Sequence, residues 1–205
     1  MKKNRVGIVS FDFDGTLANY FEFRIKAGKK VFVEDMQILK ELLCEIKELE
    51  ELDYIYFSLN TNSNMIGILA FVLSTIFFDA DCLLPGVQFI GGKTHQFVMN
   101  SQGIPELREV ELNDEYSSNG KLGCLKVLTI SHIVGKGEDV VLLLHVEDGV
   151  NNKPEELEGL KEFGTEINII NLPLKSTRSD MLKILKENNN TRKLKQTNKN
   201  LRFVV

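Results

Sequence analysis

Residues 6–17 of the chain read VGIVSFDFDGTL. A short apolar run, residues 6–11, ends in two acids, Asp12 and Asp14, followed by Gly15. Such a run is typical of a strand buried on both faces of a parallel sheet, and a glycine permits the sharp turn after it. Neighbouring carboxylates raise each other's pKa unless a positive charge lies between them, and a hard divalent cation is the usual partner. The stretch predicts a central strand that delivers two acids to a cation site.

Further along the chain, strand-like and helix-like runs alternate, which indicates an α/β fold with a central parallel sheet. The predicted strands are residues 6–11, 54–60, 81–84, 140–146 and 166–171. The predicted helices are residues 34–51, 64–77, 121–134, 154–163 and 179–187. Because the carboxyl ends of parallel strands meet at one edge of the sheet, we expect Asp12, Thr61 and Asp148 to lie there together.

The hexapeptide from Asp12 to Leu17 resembles the D-x-D-G-T-L signature of the haloacid dehalogenase superfamily, most of whose members are magnesium-dependent phosphatases. The resemblance implies a three-layer Rossmann-like core with a central parallel sheet. It also implies that Asp12 attacks phosphorus and forms an aspartyl-phosphate, while Asp14 is the general acid and base. The dehalogenases lack the second aspartate, so Asp14 favours a phosphatase. Thr16 is expected to brace the turn.

A second acidic motif ends the apolar run 140–146, where Glu147 and Asp148 follow. It resembles the superfamily's late acidic motif, and the resemblance implies that Asp12, Asp14 and Asp148 bind Mg²⁺. Glu147 is expected as a further ligand or as the partner of Asp148, in an order that the sequence leaves open. His145, within the apolar run, is more typical of a buried core histidine than of a metal ligand. An ordinary solvated turn is the alternative for each acidic loop.

The family also uses a hydroxyl group and a lysine to hold the phosphoryl group. The hydroxyl is assigned to Thr61, with the Asn62 amide beside it, and Ser58 is the alternative because strand boundaries are uncertain by a few residues. The lysine is assigned to Lys121 at the start of a predicted helix, and Lys126 in the same helix is the alternative.

Two other interpretations fail on spacing. A calcium-binding EF-hand loop that starts at Asp12 needs glycine at its sixth position and glutamate at its twelfth, but the chain has Leu17 and Phe23 there. A nucleotide-binding P-loop that ends in Gly92-Lys93-Thr94 needs its first glycine at position 87, which is Val87.

Composition and charge divide the chain into a core, residues 1–175, and a basic helix and tail, residues 176–205. Within the core, residues 83–119 break the alternation of strands and helices and indicate a hairpin or an irregular excursion over the site. The net charge is −4, so we expect no nucleic-acid partner. The tail carries eight Lys and Arg against two acids, and an anionic membrane surface is the partner considered for it.

The three cysteines show no pairing motif, which favours a reduced, cytoplasmic protein. Residues 65–78 are apolar but too short to span a bilayer.

The expected substrate follows from the space for a cap domain. Only 46 residues separate Asp14 from Thr61, and one helix takes up many of them. A large cap does not fit, so we expect a phosphomonoesterase that accepts bulky substrates such as phosphotyrosine or other phosphoprotein side chains. The Asn- and Lys-rich composition also resembles effector-type tyrosine phosphatases of this superfamily, which are secreted by bacteria and act in a host cell. The alternative is a catalytically weak binding module that engages a membrane or a protein partner.

Overall fold

The computed structural model describes residues 3–18, 26–111, 120–149 and 154–202. Within these residues the fold is α/β, with one mostly parallel sheet of eight strands. The strands are β1 Arg5–Phe11, β2 Tyr54–Thr61, β3 Leu83–Pro85, β4 Val87–Ile90, β5 Lys93–Met99, β6 Pro105–Glu109, β7 Asp139–Glu147 and β8 Glu166–Asn171. All five predicted strands are present, and the α/β prediction is confirmed.

The described helices are α1 Lys26–Leu49, α2 Ile66–Phe77, α3 Gly120–Ile130 and α4 Arg178–Arg202. A π-helical turn, Ser131–Gly135, continues α3, and a 3₁₀ helix, Pro154–Phe163, precedes β8. In α1 the fully buried side chains recur every three or four residues, at Phe32, Met36, Leu39, Leu43 and Ile46. This spacing gives the helix one apolar face, which packs on the sheet.

β1 lies at the centre of the sheet, parallel to β2 on one side and to β7 on the other. Its last residue, Phe11, pairs with Leu59 of β2 and with Val146 of β7. The chain segments that follow these three strands therefore leave the sheet at the same edge. This is the edge where the sequence predicted that the functional residues would meet.

Helices cover both faces of the sheet. Val9 and Phe11 of β1 belong to a hydrophobic cluster that includes residues of α1, α2 and α4. Val6 and Ile8 belong to a second cluster, formed with α3 and the 3₁₀ helix. All four side chains are fully buried. The unbroken apolar run of β1 is thus explained by burial on both faces.

The segment predicted as a hairpin or an irregular excursion over the site contains an antiparallel meander, β4–β5–β6, that extends the sheet beyond β2. β3 pairs with β2 at residues 55–57, whereas β4 pairs with it only at residues 60 and 61. The side chain of Gln88 fills the step between them. Its Oε1 accepts a hydrogen bond from Leu59 N at 2.5 Å, and its Nε2 donates to Phe57 O at 3.2 Å and to Gly86 O at 2.8 Å. The carboxamide thus makes the hydrogen bonds to β2 that the backbone of a neighbouring strand would otherwise make.

α4 is longer than the predicted helix 179–187, because its polar residues have partners on the core. Asn189 Nδ2 donates to Leu42 O at 2.9 Å. The buried Arg192 forms ion pairs with Glu50 at 2.6 Å and with Glu166 at 2.9 Å. These contacts hold the helix against α1 and β8. Among the described residues, no helix has the length and apolar character needed to cross a bilayer.

The prediction that the cysteines are reduced is wrong for two of them. Cys44 of α1 and Cys82, which precedes β3, form a disulfide with a Cα–Cα distance of 5.8 Å, and Cys124 is free and buried. The two half-cystines are 38 residues apart in sequence. They meet because α1 packs beside the chain that enters β3, a proximity that cysteine spacing alone does not reveal.

A buried polar network lies at the opposite, amino end of the strands. His132 Nδ1 lies 2.6 Å from Glu138 Oε2, and Tyr56 donates its hydroxyl hydrogen to Glu138 Oε1 at 3.0 Å. Burial lowers the pKa of His132, although Glu138 acts in the opposite direction. The network joins the π-helical turn to β2.

Candidate active site

Asp12 continues the line of β1 and is anchored by the backbone. Its N–H donates to Val146 O of β7 at 3.0 Å, and its Oδ1 accepts a hydrogen bond from Phe13 N at 2.7 Å. The residue is only 6% exposed. Its carboxylate is therefore fixed in direction and largely removed from water.

Lys121, from the first turn of α3, provides the positive charge beside Asp12. Its Nζ lies 2.6 Å from Asp12 Oδ2 and 3.9 Å from Glu147 Oε2. The alternative, Lys126, lies elsewhere: a Cβ atom added to Gly159 of the 3₁₀ helix would be 3.5 Å from its Nζ. The structure brings Lys121, and not Lys126, to Asp12.

The loop after β1 and the loop after β7 touch at Gly15. This residue has a φ of +76°, and a Cβ atom added to it would clash with the carboxylate of Asp148. The backbone conformation thus favours glycine here, and any larger residue would also displace the Asp148 side chain. The contact brings the acids from the first and the later motif into one group.

The site carries an excess of negative charge. The pKa of Asp14 is raised, first by partial loss of water around its carboxyl, although the residue is exposed, and then by the charges of Asp12 and Asp148, while Lys121 opposes the rise. The pKa of Asp148 is raised for the same reasons, first by burial and then by Asp12. One lysine does not balance this group of acids, so a further cation would be stabilised here.

Thr61 is the last residue of β2 and is 3% exposed. Its Oγ1 accepts a hydrogen bond from Ser63 N at 3.1 Å, and Asn62, between them, is exposed. Ser58 lies inside the strand, fully buried, and its hydroxyl donates to Val87 O. Of the two candidate hydroxyl groups, that of Thr61 is therefore at the edge of the sheet where Asp12 lies.

Glu147, which lies near Lys121, is also close to the side chain of His145. Both are buried, and His145 Nε2 lies 3.3 Å from Glu147 Oε2. His145 Nδ1 and the hydroxyl groups of Ser10 and Thr16 have no hydrogen-bond partner among the described residues. Thr16 contributes to the turn through its backbone, since its N–H donates to Phe13 O at 3.2 Å. Glu147 thus contacts Lys121 and His145, whereas Asp148 contacts Gly15.

One site residue was missed by sequence reasoning. Asn60 is 2% exposed, and its Nδ2 donates to the backbone carbonyl oxygen of Lys121 at 2.7 Å. The available signal was a polar residue at the end of an otherwise apolar strand, beside Thr61. That pattern gives no indication of a partner so distant in the sequence.

No group of three or more His, Cys, Asp and Glu side chains in the described parts of the chain has the geometry of a preformed metal site. Comparisons of the chain with protein-family models, with curated proteins and with solved structures found no match. Function is therefore inferred from the chemistry of these residues.

Proposed function

We propose that this chain is a magnesium-dependent phosphomonoester hydrolase of the haloacid dehalogenase type, with Asp12 as its nucleophile. The observation that carries the proposal is the convergence of Asp12, Asp14 and Asp148 with Lys121 at one edge of a parallel sheet. The signature in residues 12–17 and the acids at the ends of the neighbouring strands β1 and β7 agree with such an enzyme. Its three-layer core is part of the same proposal.

The donor set fits Mg²⁺. This ion prefers oxygen ligands, keeps several waters and takes only one or two protein carboxylates together with substrate phosphate. A preformed cage of three or more acidic side chains is therefore not required. Asp12 and Asp148 would hold the ion through their carboxylates and Asp14 through its backbone carbonyl oxygen, with Glu147 as a further acid, and the ion when bound would stabilise charge on the phosphoryl oxygens.

Asp12 attacks phosphorus, so that a bond forms between its carboxylate oxygen and phosphorus while the bond to the ester oxygen breaks. Asp14 gives its proton to the departing oxygen. It then takes a proton from the water that attacks phosphorus and releases Asp12 and inorganic phosphate. The direction of the pKa shift of Asp14, upward from its ordinary value, agrees with this role, because it increases the fraction of the carboxyl that carries a proton.

Lys121 neutralises Asp12 and the transferring phosphoryl group, and the Thr61 hydroxyl donates a hydrogen bond to a phosphoryl oxygen. A charged donor fixed before the reaction stabilises the transition state without reorganisation. The 2.6 Å contact of Lys121 with Asp12 and the position of Thr61 at the end of β2 support these roles.

The exposure of Asp14 favours a bulky substrate, such as a phosphotyrosine side chain of a protein. Asp14 is exposed, and α1 is the element that the structure describes between β1 and β2. The meander β4–β6 extends the sheet at its side. A binding module for membranes is less well supported, because Arg178, Arg192 and Lys193 of the basic tail form ion pairs with acids of the core.

The test is phosphate release from phosphotyrosine peptides, phosphoserine peptides, nucleotides and sugar phosphates, with Mg²⁺ and with EDTA. We expect Mg²⁺-dependent turnover that is fastest with the phosphotyrosine peptides. Efficient turnover of sugar phosphates alone contradicts the substrate class, and no turnover of any of them contradicts the proposed function.

A further inference from the structure

We infer that Asn60 is a positioning residue that holds Lys121 against Asp12. The inference rests on the proposed function, since it assigns Asn60 a role through the lysine of that site. Asn60 is the second-last residue of β2, and its side-chain amide donates to the carbonyl oxygen of Lys121 across 61 residues of sequence.

The direction of the Asn60 side chain follows from strand alternation. Ile55, Phe57 and Leu59 of β2 belong to the cluster on the side of α1, whereas Tyr56 belongs to the cluster on the side of α3. Asn60 is an even number of residues from Tyr56 and so faces α3. The 2.7 Å bond to Lys121 O spans the space between the sheet and the first turn of that helix.

The hydrogen bond adds a polar anchor at the first turn of α3, where Leu122 is buried in the second cluster. Gly120, which opens the helix, has a φ of +65° and no side chain to pack against the sheet. Lys121 has a long, flexible stem, so that the position of its ammonium group depends on where the helix backbone lies. A part-buried hydrogen bond from the end of β2, the strand next to β1, helps to fix that backbone relative to Asp12.

Lys121 is therefore held at both ends. Asn60 binds its carbonyl oxygen, while Asp12 and Glu147 attract its ammonium group at 2.6 and 3.9 Å. His145, 3.3 Å from Glu147, limits the movement of that second acid. Without Asn60 the ammonium group can still reach Asp12, but it no longer has one fixed position from which to meet a phosphoryl group.

The primary test is NMR of the lysine ammonium groups in ¹⁵N-labelled protein, which needs no substrate. The Lys121 signal is assigned by its loss in Lys121→Ala. We expect Asn60→Ala to shift or broaden this signal. The matched control is Thr165→Val, which removes a buried side-chain hydrogen bond to Val140 O, at 2.7 Å, far from the site. The inference is overturned if the Lys121 signal is unchanged in Asn60→Ala, or if it changes equally in Thr165→Val.

The second test is a double-mutant cycle on the affinity for inorganic phosphate, measured by calorimetry with Mg²⁺. We expect Asn60→Ala to weaken binding about 5-fold and to raise KM similarly, since one charged contact is displaced rather than lost. In the Lys121→Ala background, Asn60→Ala should have no further effect. If Asn60→Ala only destabilised the protein, the fraction of active protein would fall, but the affinity for phosphate and the KM of the active fraction would not change. Equal effects in both backgrounds contradict the inference. If the wild-type protein does not bind phosphate, the proposed function fails, and the NMR result still decides the role of Asn60.

Discussion

Replacing Gln88 with methionine tests how much the hydrogen bonds of its side chain to β2, between the residues that pair with β3 and those that pair with β4, contribute to stability. Methionine has nearly the same length and volume as glutamine but cannot form its hydrogen bonds. Gln88 is fully buried and makes three hydrogen bonds to backbone groups of residues 57, 59 and 86. The substitution therefore isolates the hydrogen bonds from the packing.

The expected loss of stability follows from the partners that remain. Phe57 O keeps a hydrogen bond from Gly86 N at 2.9 Å, so it is not left unpaired. Leu59 N has Gln88 Oε1 as its partner, and an unpaired buried N–H costs about 1–3 kcal/mol. Gly86 O is half-buried and can bind water, so its loss adds about 0.5–1 kcal/mol. We expect Gln88→Met to lower the free energy of unfolding by about 2–3 kcal/mol.

Urea unfolding with linear extrapolation measures this change. The matched control is Gln96→Met, the same substitution at an exposed position of β5, for which we expect a change within about 0.5 kcal/mol. If Gln88→Met is as stable as the wild-type protein to within about 1 kcal/mol, the carboxamide does not replace strand backbone as described.

Three further predictions concern charge and the disulfide. Burial and the charge of Asp12 raise the pKa of Asp148, so its ionised form disfavours folding above that pKa. Asp148→Asn should therefore raise the free energy of unfolding at pH 7 by up to about 1 kcal/mol after solvent screening. A variant that is less stable than the wild-type protein in EDTA contradicts this. Burial lowers the pKa of His132 below 6.5, so the unfolded chain takes up a proton there more readily than the native protein does. The free energy of unfolding should therefore decrease as the pH falls below about 6.5. If it decreases with the same slope in His132→Asn, the assignment to His132 is contradicted. Reduction of the bond between Cys44 and Cys82 should lower the free energy of unfolding by about 3–4 kcal/mol, since the loop closed is 38 residues long; the variant with serine at both positions should not respond to reductant.

The sequence predicted much of the fold because the strands of the parallel sheet are continuous apolar runs. β1 and β7 end directly at acids, and a parallel sheet brings such ends to one edge. The positions of Asp12, Thr61 and Asp148 follow from this local pattern. The boundaries of α4 did not follow, because Asn189 and Arg192 look like residues of a solvated tail until their buried partners are known.

Contacts between distant parts of the chain were not predictable from composition or periodicity. Lys121 and Lys126 are five positions apart in one helix and point about 140° apart, so only the docking of α3 decides which of them reaches Asp12. The disulfide and the bond between Asn60 and Lys121 depend in the same way on tertiary packing. Each joins residues whose sequence separation carries no signal.

The most direct test of the account is whether phosphate is transferred to Asp12. In Asp14→Asn, p-nitrophenyl phosphate can still react, because its leaving group needs no proton, but the attacking water lacks its base. We predict that acid-quenched Asp14→Asn protein, incubated with this substrate and Mg²⁺, carries one phosphoryl group on the peptide that contains Asp12, as measured by mass spectrometry. Protein with Asp12→Asn as well should carry none. A phosphoryl group on another residue, or steady phosphate release by Asp12→Asn alone, would contradict the account.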